Sequence, residues 1–432
     1  MKNVAQFSNT LKVFSGLFTF PTYKTFKAVV HAMVRLASYS QANLANMSGK
    51  TISQIQYFFS RARWHYAKLN HFRLRWLRSR KEFRDRQSDD VILDGSVIKK
   101  DKDAKFSGLT AFMYSNLSKG VVNGLALFGA SIRTAEGKRY PLDFMLFVEK
   151  RWLSQWKGWE AFAEHISHMT KGVLFILDRG FRNHYFLAHI LKLKRLFLIR
   201  VSASLNVLIP MAEKEIRAQE KVDKLKNGKG KRRGRKKQFP HRKLISVEKW
   251  IKKHAPIQCK GGKLWIIPRV IVSAWKSKIK QECTVIIFHR DGFKKPLVLV
   301  YGQKEAGEEI NTEKALEFVG KYIGRWTIEI FFKEAKSWFD LEGFGVRSEQ
   351  GVYRFIHMVF FTHSLLSITL ETLRKLPKLK QAILFILKKS RNIKALVVIG
   401  LKLFFESIFF ICSRSPKWLD LKTKRTLMAH FF

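Results

Sequence analysis

The stretch Val173-Leu-Phe-Ile-Leu-Asp-Arg-Gly-Phe-Arg-Asn183 decides how the rest of the chain is read. Five consecutive apolar residues, Val173 to Leu177, have the length and composition of a strand buried on both faces. The chain then delivers Asp178 and Arg179 straight off its end. A second strand-like segment, "VILDGSVI" (91–98), carries Asp94 where an apolar residue would fit better. In α/β sheets, ligand chemistry gathers at the carboxyl ends of strands, where side chains from neighbouring loops converge. Two carboxylates held close together repel unless a cation lies between them, so the pair points to a divalent metal, most naturally Mg²⁺. Each Asp taken singly is equally a turn or cap residue.

Around these two segments the pattern is β-β-β-α-β-α-β. "VILDGSVI" is followed by strands at "GLALFGASIR" (124–133) and "RYPLDFMLF" (139–147), then a helix at "WLSQWKGWEAFAEHISHM" (152–169). The strand "VLFILD", the helix "NHYFLAHILKLK" (183–194) and the strand "LFLIRVS" (196–202) complete it. This order predicts a mixed sheet flanked by helices. From about 205 to 310 the strands "KLWIIPRVIVSAW", "CTVIIFH" and "PLVLVYG" form a β-rich block, entered through a basic run between Pro210 and Leu244 that reads as a loop. A helix is predicted from Thr312, with Asn311 and an early Glu as capping signals. From about 350 the sequence is helical and basic. The resulting regions are 1–85 (basic, helical), 86–205 (first part of the α/β core), 206–311 (β-rich insertion), 312–350 (a helix returning to the core) and 351–432 (basic, helical).

The 432 residues hold 82 Lys+Arg against 33 Asp+Glu, a net charge of +49, with an ordinary hydrophobic fraction of 46%. Such a chain folds, and its charge excess seeks a polyanion, nucleic acid before an anionic membrane. No acid precedes Glu82, whereas Lys and Arg recur from Lys2 onward. Within this segment "ANMSGKTISQIQYFFSRARWHYAKL" (45–69) has the outline of a helix, a Ser-Gly turn and a second basic helix capped near Thr51. A helix-turn-helix and a plain basic bundle both fit. The apolar run "ALVVIGLKLFFESIFFIC" (395–412) carries Lys402 and Glu406 and reads as a buried helix rather than a membrane span. Three scattered cysteines and an N-terminus without a signal-peptide pattern indicate a reducing compartment. Neither the cysteines nor the 13 histidines are assigned a metal.

In "YIGRWTIEIFFKEAK" the residues Tyr322, Arg325, Glu329 and Lys336 stand at steps of three, four and seven, on one face of a continuous helix. Such a stripe is either an ordinary solvent face, with an Arg325–Glu329 pair, or a metal ligand flanked by phosphate contacts.

These residues, together with "LDRGFRNHYFLAHILKLKRLFLIR" ending at Arg200, resemble the prokaryotic insertion-sequence transposases with a ribonuclease-H-like DDE catalytic domain, in the subgroup marked by Tyr-x2-Arg-x3-Glu-x6-Lys. The similarity spans roughly 90 to 350, and the fold class it implies is α/β. That is a ribonuclease-H-like mixed sheet flanked by helices, interrupted by a β-rich insertion, with helical N- and C-terminal regions. The resemblance implies Asp94, Asp178 and Glu329 as catalytic metal ligands for Mg²⁺, with Mn²⁺ as a substitute. Glu334, about 140° further round a helix, would face away from the other two acids. It further implies that Tyr322, Arg325, Lys336 and Arg200 bind DNA, and that an insertion Trp, Trp265 or Trp275, stacks on a flipped base or is merely core. The implied enzyme cuts the ends of its own mobile element and joins the 3′ ends to target DNA. It would act as a homodimer on double-stranded DNA, in the cytoplasm at the nucleoid, with no membrane association. A transposase-derived DNA-binding protein without activity, a ribonuclease-H-like structure-specific nuclease and a basic membrane-surface protein are the competing readings.

Overall fold

The computed structural model describes residues 9–35, 39–101, 109–115, 120–147, 155–227, 239, 241–302 and 309–374. The basic run at 228–238 and the whole region beyond 374, including the apolar stretch 395–412, lie outside them. The chain forms two compact units that interleave along the sequence: Met1–Arg84 with Ser96–Leu127 and Ile330–Phe432, and Asp85–Gly95 with Phe128–Glu329.

The second unit is built on the sheet foreseen in the sequence. Its core strands are β1 (Asp90–Lys99), which runs on into the other unit, as does β3 below, then β4 (Arg139–Phe147), β5 (Leu174–Leu177) and β6 (Leu196–Val201). A short strand β2 (Ala111–Ser115) precedes the long β3 (Gly120–Arg133). In hydrogen-bonding order β3, β1, β5 and β6 are neighbours, and β4 pairs with β3 on its outer side. β1, β5 and β6 run parallel, with Leu93 opposite Leu177 and Leu177 opposite Ile199. The four residues of β5 are all buried, as a parallel strand covered on both faces must be. Two helices supply the cover: α5 (Gln155–Met169), packed on β4, and α6 (His184–Lys192), packed on β6. Trp159 of α5 meets Phe181 at 4.8 Å and Phe186 of α6 at 5.6 Å between ring centroids, so the aromatic layer sits directly under the loop that leaves Asp178. Asn183 caps α6 by accepting from the Tyr185 and Phe186 amides, which stops the chain from running the helix back into that loop.

The insertion extends this same sheet. Strands β7 (Asn206–Pro210), β8 (Arg242–Ser246), β9 (Ile257–Cys259), β10 (Gly262–Val272), β11 (Cys283–Arg290) and β12 (Leu297–Gly302) follow, and β12 pairs antiparallel with β6. Gly302 stands opposite Phe197 in that pairing, and any side chain there would strike the Phe197 ring. Sequence reading placed a loop between 210 and 244; the structure forms α7 (Glu213–Asn227) there. Glu213 and Glu215 in its first turn and a run of good helix formers explain the difference. A short helix, α8 (Val247–Lys253), follows β8.

The first unit is mainly helical, and also takes in β2 and the parts of β1 and β3 that fall between Ser96 and Leu127. It contains α1 (Phe20–Arg35), α2 (Gln41–Ser48), α3 (Ile52–Ser60) and α4 (Tyr66–Arg78), and α11 (Glu349–Arg374) packs against α1, α3 and α4. The turn foreseen at Ser48-Gly49 is present, with Gly49 in the left-handed region at φ 65° and a full capping box between Thr51 and Gln54. α3 itself carries no Lys or Arg; the basic residues expected on it fall in the following turn, at Arg61 and Arg63, and on α4. Among the described residues no helix is long and apolar enough to cross a membrane.

Candidate active site

The predicted single helix from Thr312 is two helices, α9 (Thr312–Ile323) and α10 (Trp326–Trp338), interrupted at Gly324-Arg325. Gly324 leaves room for the Arg133 guanidinium, which a side chain at that position would meet. α9 is fixed to β1 by an ion pair between Lys321 and Asp90 at 2.8 Å, a contact to which no sequence pattern pointed. The turn then aims Arg325 at Asp94 in the middle of β1 and at Asp178 just after β5.

What results is a buried cation surrounded by acids. Arg325 Nη1 donates to Asp94 Oδ2 at 3.1 Å, and Nη2 donates to Glu329 Oε1 at 2.6 Å and lies 3.7 Å from Asp178 Oδ1. The Tyr322 hydroxyl donates to the same Asp178 oxygen at 3.1 Å. Asp94 Oδ1 accepts from the Gly95 amide at 2.8 Å. The Arg325 side chain is 7% exposed and Asp94 15%, against 34% for Glu329 and 39% for Asp178, so the opening to solvent lies on the Glu329 and Asp178 side. Burial pushes the Asp94 carboxyl up to about 6, with Glu329 and Asp178 adding to the rise and Arg325 opposing it. Burial also raises the Tyr322 hydroxyl well above its usual range, keeping it a proton donor. For Arg325, burial works against the charge, yet Tyr322 and the three carboxylates outweigh it and the guanidinium is held more firmly protonated.

Sequence reading thus named residues that the fold brings together: Asp94, Asp178, Glu329, Tyr322 and Arg325. Arg200, exposed on β6, is near enough for its charge to act on Tyr322. Lys336 is placed otherwise: it belongs to the first unit, where Nζ donates to Val97 O at 2.6 Å and lies 3.2 Å from Glu342. Glu334, the competing acid, is engaged by His363 at 3.1 Å. Both insertion tryptophans are buried. Trp265 donates to His254 O at 2.9 Å, whereas Trp275 packs edge-on to Phe197 and lines a cleft of about 470 Å³ with Arg182, His184, Ser202, Asn206 and Ser273. An indole that does face solvent, Trp326 at 61% exposure, directly follows Arg325.

Three carboxylates converging on one buried cation have the donor chemistry for a hard divalent ion. Among the described residues no three His, Cys, Asp or Glu close on a common point, because these acids are turned to the guanidinium. The donor set fits a metal in kind, provided Arg325 gives up its place.

Residues 154–365 match the family model described as the transposase DDE domain, a span that takes in Asp178, Tyr322, Arg325, Glu329 and Lys336 and starts after Asp94. Comparison with curated proteins finds no match. Among solved structures the chain is similar to a cryo-EM structure of a piggyBac transposase synaptic complex with hairpin DNA, at 10% identity and a TM-score of 0.41, over 94% of this chain and 75% of that one. About half of this chain is therefore similar in sequence to a transposase DDE domain, and that half holds Asp178 after β5 and Glu329 in the first turn of α10.

Proposed function

We propose that the protein is a DNA transposase that binds the ends of its own mobile element, cleaves them by metal-dependent phosphoryl transfer and joins the 3′ ends to target DNA. The observation that carries this reading is the convergence of Asp94, Asp178 and Glu329 on a single guanidinium, on a chain with a net charge of +49. Mg²⁺, or Mn²⁺ in its place, would activate the attacking water or 3′-hydroxyl and stabilise the leaving oxygen. Asp94, Asp178 and Glu329 would hold it. Tyr322 donates to Asp178 and fixes which of its oxygens stays free for a ligand. Arg325 and Arg200 offer donors to the phosphates on either side of the scissile bond, Arg325 with the planar fork suited to them, and Lys336 is assigned the same phosphate-binding role.

End recognition is assigned to the N-terminal helices. The exposed side of α3 presents Ser53, Gln56 and Tyr57 with Arg61 and Arg63 just beyond it, a set able to read base edges while holding phosphates. Trp275, at the wall of a cleft lined with hydroxyls, is the insertion residue assigned to a displaced base, and Trp265 the alternative. Pairing of two element ends calls for a homodimer on DNA, and the resemblance to the subgroup marked by the Tyr-Arg-Glu-Lys signature implies a prokaryotic cytoplasm.

The test is incubation of the protein with duplex DNA from the flanks of its own coding sequence. Mg²⁺-dependent nicking at a fixed position, followed by joining of the new 3′ end to a second duplex, is the expected result. Cutting of any branched or hybrid duplex with no preference for those flanks would favour a structure-specific nuclease instead.

A further inference from the structure

We infer that Arg325 is a built-in counter-cation for the carboxylate cluster, occupying the metal position until a divalent ion displaces it, and that its displacement releases it to bind a DNA phosphate. The inference rests on the reading of Asp94, Asp178 and Glu329 as metal ligands, and deepens it.

The guanidinium meets Asp94 at 3.1 Å, Glu329 at 2.6 Å and Asp178 at 3.7 Å, so one positive side chain is shared among three acids and offsets part of their mutual repulsion. Among the described residues no three of His, Cys, Asp or Glu are grouped so as to hold an ion, and these acids each face the guanidinium instead. Arg325 Nε is buried and has no acceptor, so apart from the Tyr322 ring 5.6 Å from its guanidinium the side chain is held by its acids. Its backbone stands in a turn between two helices, where Arg325 N donates to Tyr322 O, rather than inside a helix whose register would hold the side chain in one direction. The less buried acids, Glu329 and Asp178, both face Nη2, so an ion arriving from solvent meets that end of the guanidinium first.

A hard divalent ion satisfies the three carboxylates better than a guanidinium does, and a guanidinium released from them is a bidentate phosphate donor. Metal and DNA therefore bind with positive coupling: each takes a partner of Arg325 and frees the other. Metal-free protein is held closed to both.

The experiment is calorimetric titration of the full-length protein with Mn²⁺, without DNA, for wild type, Arg325→Gln, Arg325→Lys and Glu329→Gln. Arg325→Gln should bind Mn²⁺ about 10-fold more tightly than wild type, at the low end of ordinary coupling. Arg325→Lys, whose compact ammonium reaches fewer of the oxygens, should fall between them, and carries the comparison by itself if the Gln variant does not fold. Mn²⁺ binding that Glu329→Gln removes, but that is unchanged or weaker in the Arg325 variants, would overturn the counter-cation role and leave the metal site standing. No Glu329-dependent binding in any of the proteins would overturn the metal site itself, and this inference with it.

Discussion

Arg354 in one compact unit and Arg325 in the other are each buried among three oxygens, and the two arginines are under opposite electrostatic conditions. Arg354, in the helical unit, donates to the carbonyls of Phe59, Ala62 and Trp64 at 3.1, 2.6 and 2.6 Å. Arg325, in the sheet unit, donates to carboxylates. Carbonyl oxygens carry no charge to compensate, and burial lowers the affinity of Arg354 for its proton; at Arg325 the acids reverse that effect. The first arrangement satisfies chain ends that must be satisfied in any folded state: it ties off the backbone after α3. The second gathers charges that folding alone has no use for, since burying Arg325 and Asp94 beside two half-buried acids stabilises less than apolar residues of the same size. An expensive cluster retained in a protein's interior is where chemistry is to be sought.

The contrast breaks most visibly under substitution. Asp94→Asn, Asp178→Asn or Glu329→Gln should each lower DNA cleavage on the order of 10³-fold or more while leaving duplex binding within a few-fold, measured by gel assay on end-labelled DNA. Arg354→Met should leave cleavage per folded molecule unchanged but lower stability by about 3 kcal/mol, because three buried carbonyls lose their donor. Urea unfolding would reveal it, and added Mn²⁺ should not restore the loss. Arg325→Met should instead be destabilised only in EDTA and recover in Mn²⁺ at about 100 times its dissociation constant, where ligand binding contributes about 2.7 kcal/mol.

A smaller effect sharpens the comparison through pH. Asp94 has a folded-state value near 6 against an ordinary 3.8, so the folded protein binds the extra proton and Asp94 favours folding most at low pH. That contribution, about 3 kcal/mol, is lost as pH rises from about 4 through 6. In EDTA the stability of wild type relative to Asp94→Asn should fall across that window and level off above it; a flat difference would remove burial as the cause. Smallest is Tyr322→Phe, which removes one hydroxyl from Asp178 and should cost about 1 kcal/mol in transition-state stabilisation, or roughly a 5- to 10-fold lower cleavage rate.

Local signals in the sequence located most of the sheet unit. β4 falls on the nine residues whose composition marked it, and Asn311 caps α9 where an Asn-Thr start indicated it. Asp94 and Asp178 were legible because an acid inside an apolar strand, or straight after one, contradicts its surroundings. The interruption at Gly324-Arg325 was not, since the spacing of Tyr322, Arg325 and Glu329 suits an unbroken helix equally well. Lys336 was read onto the same face for that reason, whereas its amine is held by Val97 O and Glu342. The Arg354 clasp joins residues almost three hundred positions apart and leaves no periodic trace. The Lys321–Asp90 pair is similarly silent: both residues look like ordinary surface charges until β1 and α9 are folded together. Pairing of β12 with β6 shows the same limit, because strand composition announces a strand and not its neighbour.

The most direct test of the account is the comparison of Glu329→Gln with Glu334→Gln in Mg²⁺-dependent cleavage of the element's own ends, with DNA binding followed in the same samples. The account predicts that Glu329→Gln binds and does not cut, whereas Glu334→Gln, whose carboxylate meets His363 and not Arg325, cuts within a few-fold of wild type. Full cleavage by Glu329→Gln, or cleavage lost only with Glu334→Gln, would contradict the assignment of the site.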